Sequence, residues 1–84
     1  METAALKQLC ESLQRYGGWL DRAHQSAIVR ADIEALGTAI EARANPSSLL
    51  EALEIDLARL PGGEVRKMLR LTAGRIRRAL AEPQ

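Results

Sequence analysis

Phenylalanine is absent from the sequence, and Tyr16 and Trp19 are the only aromatic side chains among 84 residues. β-Branched residues are sparse as well. Sandwiches and barrels depend on both classes to fill a pleated, half-buried surface, so an all-β fold is excluded. Cys10 is the single cysteine and His24 the single histidine. One thiol can close no intramolecular disulfide and build no cysteine-based zinc site, and one imidazole adds little. No apolar run approaches the roughly 18 residues that a membrane span requires. The opening Met-Glu-Thr-Ala-Ala lacks the basic and then apolar pattern of a signal peptide. The expectation is therefore a soluble, cytoplasmic chain. No glycine-rich phosphate cradle of the GxGxxG or GxxxxGK[ST] form occurs.

Leu, Ala, Arg and Glu dominate, and all four favour helix. With 46% apolar and 27% charged residues, the balance is that of a globular domain. The expected fold is all-α: a single helical domain over residues 1–84, of three to four helices. It would be either a small antiparallel bundle or a long helix followed by a helical hairpin. A chain this short buries a modest share of its surface and has no disulfide or metal to staple it. A partner or a second copy is a natural supplement.

Three punctuation points divide the chain: Gly17-Gly18, Asn45-Pro46-Ser47-Ser48 and Pro61-Gly62-Gly63. Before the first, Leu6, Leu9, Cys10, Leu13 and Tyr16 recur at helical spacing over residues 3–16. Over residues 19–44, Val29, Ile33, Leu36 and Ile40 form a large apolar stripe. Ala27, Ala31, Ala35, Ala39 and Ala42 lie beside it, a flank suited to close packing against neighbouring helices. The apolar period runs through the glycine pair, from Leu13 and Tyr16 to Leu20. This spacing favours one long helix bent at the glycines, and a local turn is the alternative. Pro46 stops the segment, because the residue before a proline is pushed out of the α region. Two caps compete for the next helix, over 47–60. One is Ser48 with Glu51 as a capping box; the other is Asn45 with Pro46 at the first helical position. Leu50, Leu53, Leu57 and Leu60 supply its apolar face, and Pro61-Gly62-Gly63 ends it. The last helix, over 64–81, carries Val65, Leu69, Thr72, Ile76 and Leu80 on one stripe. Glu64 at its start and Arg77 and Arg78 near its end suit the helix dipole.

Constellations for catalysis are nearly missing. His24 has no oriented partner or cleft that the sequence can supply, as a general base requires. Cys10 shares the apolar face with Leu6 and Leu13 and reads as a small buried hydrophobe. Asp32 and Glu34 are two apart and point to different sides of a helix, and Asp21 and Glu41 complete no metal-ligand spacing. Gly62-Gly63 precedes a helix start that could hold an anion, but Glu64 and the lack of a P-loop lysine argue against it. No enzymatic activity and no cofactor are expected.

Charge is distributed unevenly. Residues 1–61 carry six basic and nine acidic side chains, whereas residues 62–84 carry six and two. The last helix is therefore basic and amphipathic, with Arg66, Lys67, Arg70, Arg77 and Arg78 as its candidate surface and Arg75 nearby. A solvated face, a protein-partner surface and a nucleic-acid or anionic-membrane surface all fit that pattern. The near-neutral pI of 8.0 and the shortage of aromatics for stacking weigh against nucleic acid. Residues 49–78 also have the outline of a helix-turn-helix. The reading helix would offer only Arg66 and Arg70 to base edges, and a helical hairpin explains the same pattern.

Trp19-Leu20, the run Ala27-Ile28-Val29-Arg30-Ala31-Asp32-Ile33-Glu34-Ala35-Leu36 and Ile40-Glu41-Ala42-Arg43 resemble the N-terminal helical region of flagellar type III export chaperones of the FlgN/FliT type. The resemblance covers residues 13–43. It implies a helical chaperone that shields the amphipathic end of an export substrate. Val29, Ile33, Leu36 and Ile40 would form the contact, with the last helix swinging to admit the partner. The functional expectation is a non-catalytic protein-binding module that buries an amphipathic partner helix, with Trp19, Val29, Ile33, Leu36 and Ile40 at the contact. A homo-oligomer is a further possibility. The alternatives are a small nucleic-acid-binding or regulatory protein using the basic last helix, and a small phage or mobile-element inhibitor.

Overall fold

Side chains at helical spacing need a partner surface, and the chain supplies four helices that cover one another. The computed structural model describes residues 3–81. The helices are α1 (Thr3–Gly17), α2 (His24–Glu41), α3 (Ser47–Ala58) and α4 (Glu64–Ala81). Helix α1 packs on α2 and α4, and α3 packs on the same two, so the helices close a ring around one core. Short connections force consecutive helices to run in opposite directions. The contacts agree: Gly17 lies beside Arg30 and Ile33, while Cys10 lies near Glu41 at the other end of α2. The all-α class expected from composition is observed as an up-and-down four-helix bundle. No helix among the described residues is long and apolar enough to cross a membrane.

The core is almost wholly aliphatic. Leu13, Val29, Leu36, Leu53, Leu57, Leu69 and Ile76 are buried at its centre, with Leu6, Cys10, Ile33, Ile40, Leu50, Leu60 and Ala73 around them. Leu9, Tyr16, Leu20, Val65 and Leu80 close its margins. Burying one such side chain contributes about 1.5–3 kcal/mol, which is why leucine stripes suffice without aromatics. Thr72, the buried hydroxyl of α4, donates to the Met68 carbonyl at 2.9 Å and so leaves no unmet donor.

The single long helix through the glycine pair is not what forms. α1 ends at Gly17, and residues 18–23 make a loop before α2 begins at His24. Two features drive the reversal. Gly17 packs directly under α2, where an added Cβ would stand 3.0 Å from Ile33 Cδ1. Asp21 then organises the entry to α2: its Oδ1 accepts from the Ala23 amide at 3.0 Å and from Ser26 Oγ at 2.8 Å. The apolar period survives the break because Leu20 returns to the core from the loop.

α2 also stops before Asn45-Pro46. The Ala44 amide bonds the Ala39 carbonyl and the Arg43 amide bonds the Ile40 carbonyl, with Arg43 at φ 59°. This is a Schellman motif with arginine in the left-handed position usually held by glycine. At the next helix Pro46 is the N-cap residue itself, and Asn45 Oδ1 accepts from the Ser47 amide at 3.0 Å. The Asn45-Pro46 reading is thus nearer than the Ser48–Glu51 box, displaced by one position. The helix predicted over 47–60 ends at Ala58, and that predicted over 64–81 has those bounds.

The alanine flank of α2 does not pack against neighbours. Ala27, Ala31, Ala35 and Ala42 face solvent, with Ala39 half-buried. α2 is covered by α1 and α3 on the Val29 side alone, which leaves the opposite side as the outer wall.

Candidate interaction surface

The stripe assigned to a partner is occupied by the protein itself. Val29, Ile33, Leu36 and Ile40 are all buried in the core. Their spacing matches that of a docking groove because a core-facing stripe and a partner-facing stripe have the same period. In the closed bundle these four side chains hold α2 to α1 and α3.

Trp19 is the exception among the five. It sits in the loop after α1 and is 57% exposed. Its ring lies 5.4 Å from that of Tyr16, centroid to centroid, tilted by 55°. Tyr16 is half-buried and anchors the pair against the core. Because the first and third loops meet at this end of the bundle, Trp19 borders a cleft of about 250 Å³ with Asp21, Pro61, Gly63, Glu64 and Arg66.

The basic residues of α4 divide into two groups. Arg66 and Arg77 are used by the fold. Arg66 Nη1 donates to the Leu60 carbonyl at 3.0 Å and holds the turn into α4. Arg77 makes a two-pronged contact with Glu54 of α3, its Nε donating to Oε1 at 3.0 Å and its Nη2 to the same carboxylate. That carboxylate raises the Arg77 pKa, first by hydrogen bonding and then by its charge. Lys67, Arg70 and Arg78, with Arg75, are exposed and have no ion-pair partner among the described residues. Leu71 stands among them at 57% exposure. Residues Gly62, Gly63, Arg66, Lys67, Arg70 and Leu71 line an open groove of about 510 Å³. It shares Gly63 and Arg66 with the lining of the Trp19 cleft, so the two depressions adjoin.

One constellation was not foreseen. Asp32 of α2 faces Asp56 of α3 across the seam between the two helices. Asp32 Oδ2 is buried without a hydrogen-bond partner. Loss of solvent, then hydrogen bonding to Asp56, then the Asp56 charge push the Asp32 carboxyl up to about 7. Asp56 has Arg59 Nη1 at 3.8 Å, and its backbone carbonyl accepts from Gln25 Nε2 at 3.1 Å. A signal for this pair exists in the sequence. Asp32 stands three after Val29 and four before Leu36, and Asp56 stands likewise between Leu53 and Leu60, so each acid interrupts an apolar stripe. Leu71 is the reverse case, an apolar residue outside the stripe among cations.

Cys10 is buried, and burial followed by the Glu41 charge raises its thiol, which disfavours the reactive thiolate. His24 is exposed at the first position of α2.

Fold and surface together define a small four-helix bundle with an exposed tryptophan and a basic outer helix. No protein-family model, curated protein or solved structure matches the chain.

Proposed function

We propose that the chain is a non-catalytic protein-binding module whose contact surface is centred on Trp19. The observation that carries this reading is the exposure of that side chain beside a cleft, in a chain with only one other aromatic. Leaving an indole in water forgoes about 2 kcal/mol or more of burial, and tryptophan is the residue most enriched at the energetic centres of interfaces. The reading moves the contact away from the α2 stripe to the end of the bundle where Trp19, Pro61 and Arg66 meet. The likeness of residues 13–43 to flagellar export chaperones would make the partner an amphipathic segment of an export substrate. Such a partner would meet the closed bundle at this end and leave Val29, Ile33, Leu36 and Ile40 in the core.

The test is affinity capture from nuclease-treated native lysate with tagged wild-type chain and with Trp19→Ala. One predominant protein is expected with the wild type and lost with the variant, at an unchanged melting temperature. Retention of that protein by Trp19→Ala, or capture that disappears with nuclease, contradicts the reading.

A further inference from the structure

Gly74 lies in the middle of α4, where glycine is less favourable than alanine by about 1 kcal/mol. Nothing in the protein requires it. Beyond the backbone of its own helix and its two chain neighbours, a Cβ built at Gly74 meets nothing within 4 Å, and the residue has no positive φ. The surroundings are specific. Lys67, Arg70, Leu71 and Arg78 share its face at helical spacing, Arg75 adjoins it, and the groove that begins at Gly62 ends at Leu71, one turn before it.

We infer that the outer face of α4, from the Trp19 cleft past Leu71 to Gly74, is the docking surface for an acidic amphipathic helix of a partner protein. This rests on the protein-binding reading above and names its surface and the chemistry of its partner. Helices pack with axes about 8–10 Å apart, and the closest approaches occur where one side chain is missing. Gly74 provides that gap and Leu71 the apolar contact. Lys67, Arg70 and Arg75, unpaired among the described residues, provide the charge that an acidic flank would neutralise. A second copy of this chain presenting the same face would set those cations against their own like charges. Two of its three α3 acids are committed as well, Glu54 to Arg77 and Asp56 to the seam with α2. A phosphate backbone would use the cations but has no need of an exposed leucine or of a missing Cβ between them.

The test uses the full chain and a labelled synthetic helix of about 20 residues. This peptide carries a Leu and Ala stripe flanked by glutamates; a lysine version serves as control. Fluorescence anisotropy measures binding, and amide shifts of the chain map it. The expected result is binding of the acidic peptide only, with shifts centred on residues 62–75 and Trp19. Gly74→Leu weakens binding by about ten-fold or more, a difference of about 1.4 kcal/mol. Gly74→Ala melts at a higher temperature than wild type, which shows that the glycine does not serve the fold. Unchanged binding by Gly74→Leu overturns the proposal. So does self-association that Gly74→Leu abolishes. Shifts confined to other surfaces remove the α4 face and leave the protein-binding reading standing. Salt-sensitive binding of a DNA duplex in place of the peptide removes both.

Discussion

Two residues sit against local preference and make themselves measurable. Asp32 keeps its proton far above the ordinary carboxylate range because ionising it would set a poorly solvated charge against Asp56. A carboxyl raised in the folded state binds a proton that the unfolded chain has already released. Stability from this group is therefore full below pH 4 and is lost as pH rises to about 7. Asp32→Asn supplies a neutral amide that can donate to Asp56. It is expected to stabilise the protein at pH 8 by about 1 kcal/mol, after discounting for solvent screening. It should also flatten the pH dependence of urea midpoints between pH 4 and 7. A variant whose midpoint follows the wild-type curve would show that the pair is not coupled. Arg43 holds a left-handed backbone at φ 59°. Arg43→Gly is expected to raise stability by about 1 kcal/mol, read by thermal or urea unfolding, since glycine removes the Cβ strain and keeps the Schellman bonds.

At the scale of elements, the loop between α1 and α2 is built by side chains as much as by glycine. Hydrogen bonds from the Ala23 amide and then Ser26 hold the Asp21 carboxyl below the usual carboxylate range. Asp21→Ala should leave α1, α3 and α4 intact while the amides of residues 23–27 exchange faster with deuterium. Equal exchange in the variant would mean that packing of Leu20 alone fixes the turn. This loop also marks the limit of what periodicity can reveal. The spacing Leu13, Tyr16, Leu20 is helical in phase, and nothing in it shows that Gly17 leaves room for Ile33 of α2, whose Cδ1 lies 3.0 Å from where a Cβ would be. That requirement comes from a helix distant in sequence. The helix starts and stops that depend on neighbours were more legible: Pro61-Gly62-Gly63 bounds α3 and α4 as its backbone chemistry demands.

At the scale of the molecule, a ring of four helices follows from four apolar stripes of similar width, and the sequence displays them. Fold class and the core positions of Leu53, Leu57, Leu69 and Ile76 were readable for that reason. Whether a stripe meets the protein's own core or a partner was not readable, because both carry the same period. Val29, Ile33, Leu36 and Ile40 fell on the core side of that ambiguity. Leu36→Ala is thus expected to cost about 2–5 kcal/mol of stability and, once folded in the cold, to retain the captured partner. Trp19→Ala should do the opposite. The surface residues that the structure adds, Leu71 and Gly74, break the pattern of the helix that carries them. Such exceptions gain meaning only once the bundle shows which side of α4 is outside.

On the proposed reading, the partner meets a closed bundle through Trp19 and the outer face of α4. Hydroxyl-radical footprinting of the free chain and of its captured complex tests this most directly, because it reads side-chain exposure residue by residue. Trp19 and Leu71 are expected to be reactive in the free chain and protected in the complex, while Val29, Ile33, Leu36 and Ile40 stay unreactive in both. A complex in which Trp19 and Leu71 remain reactive, or in which the α2 stripe changes its reactivity, would contradict it.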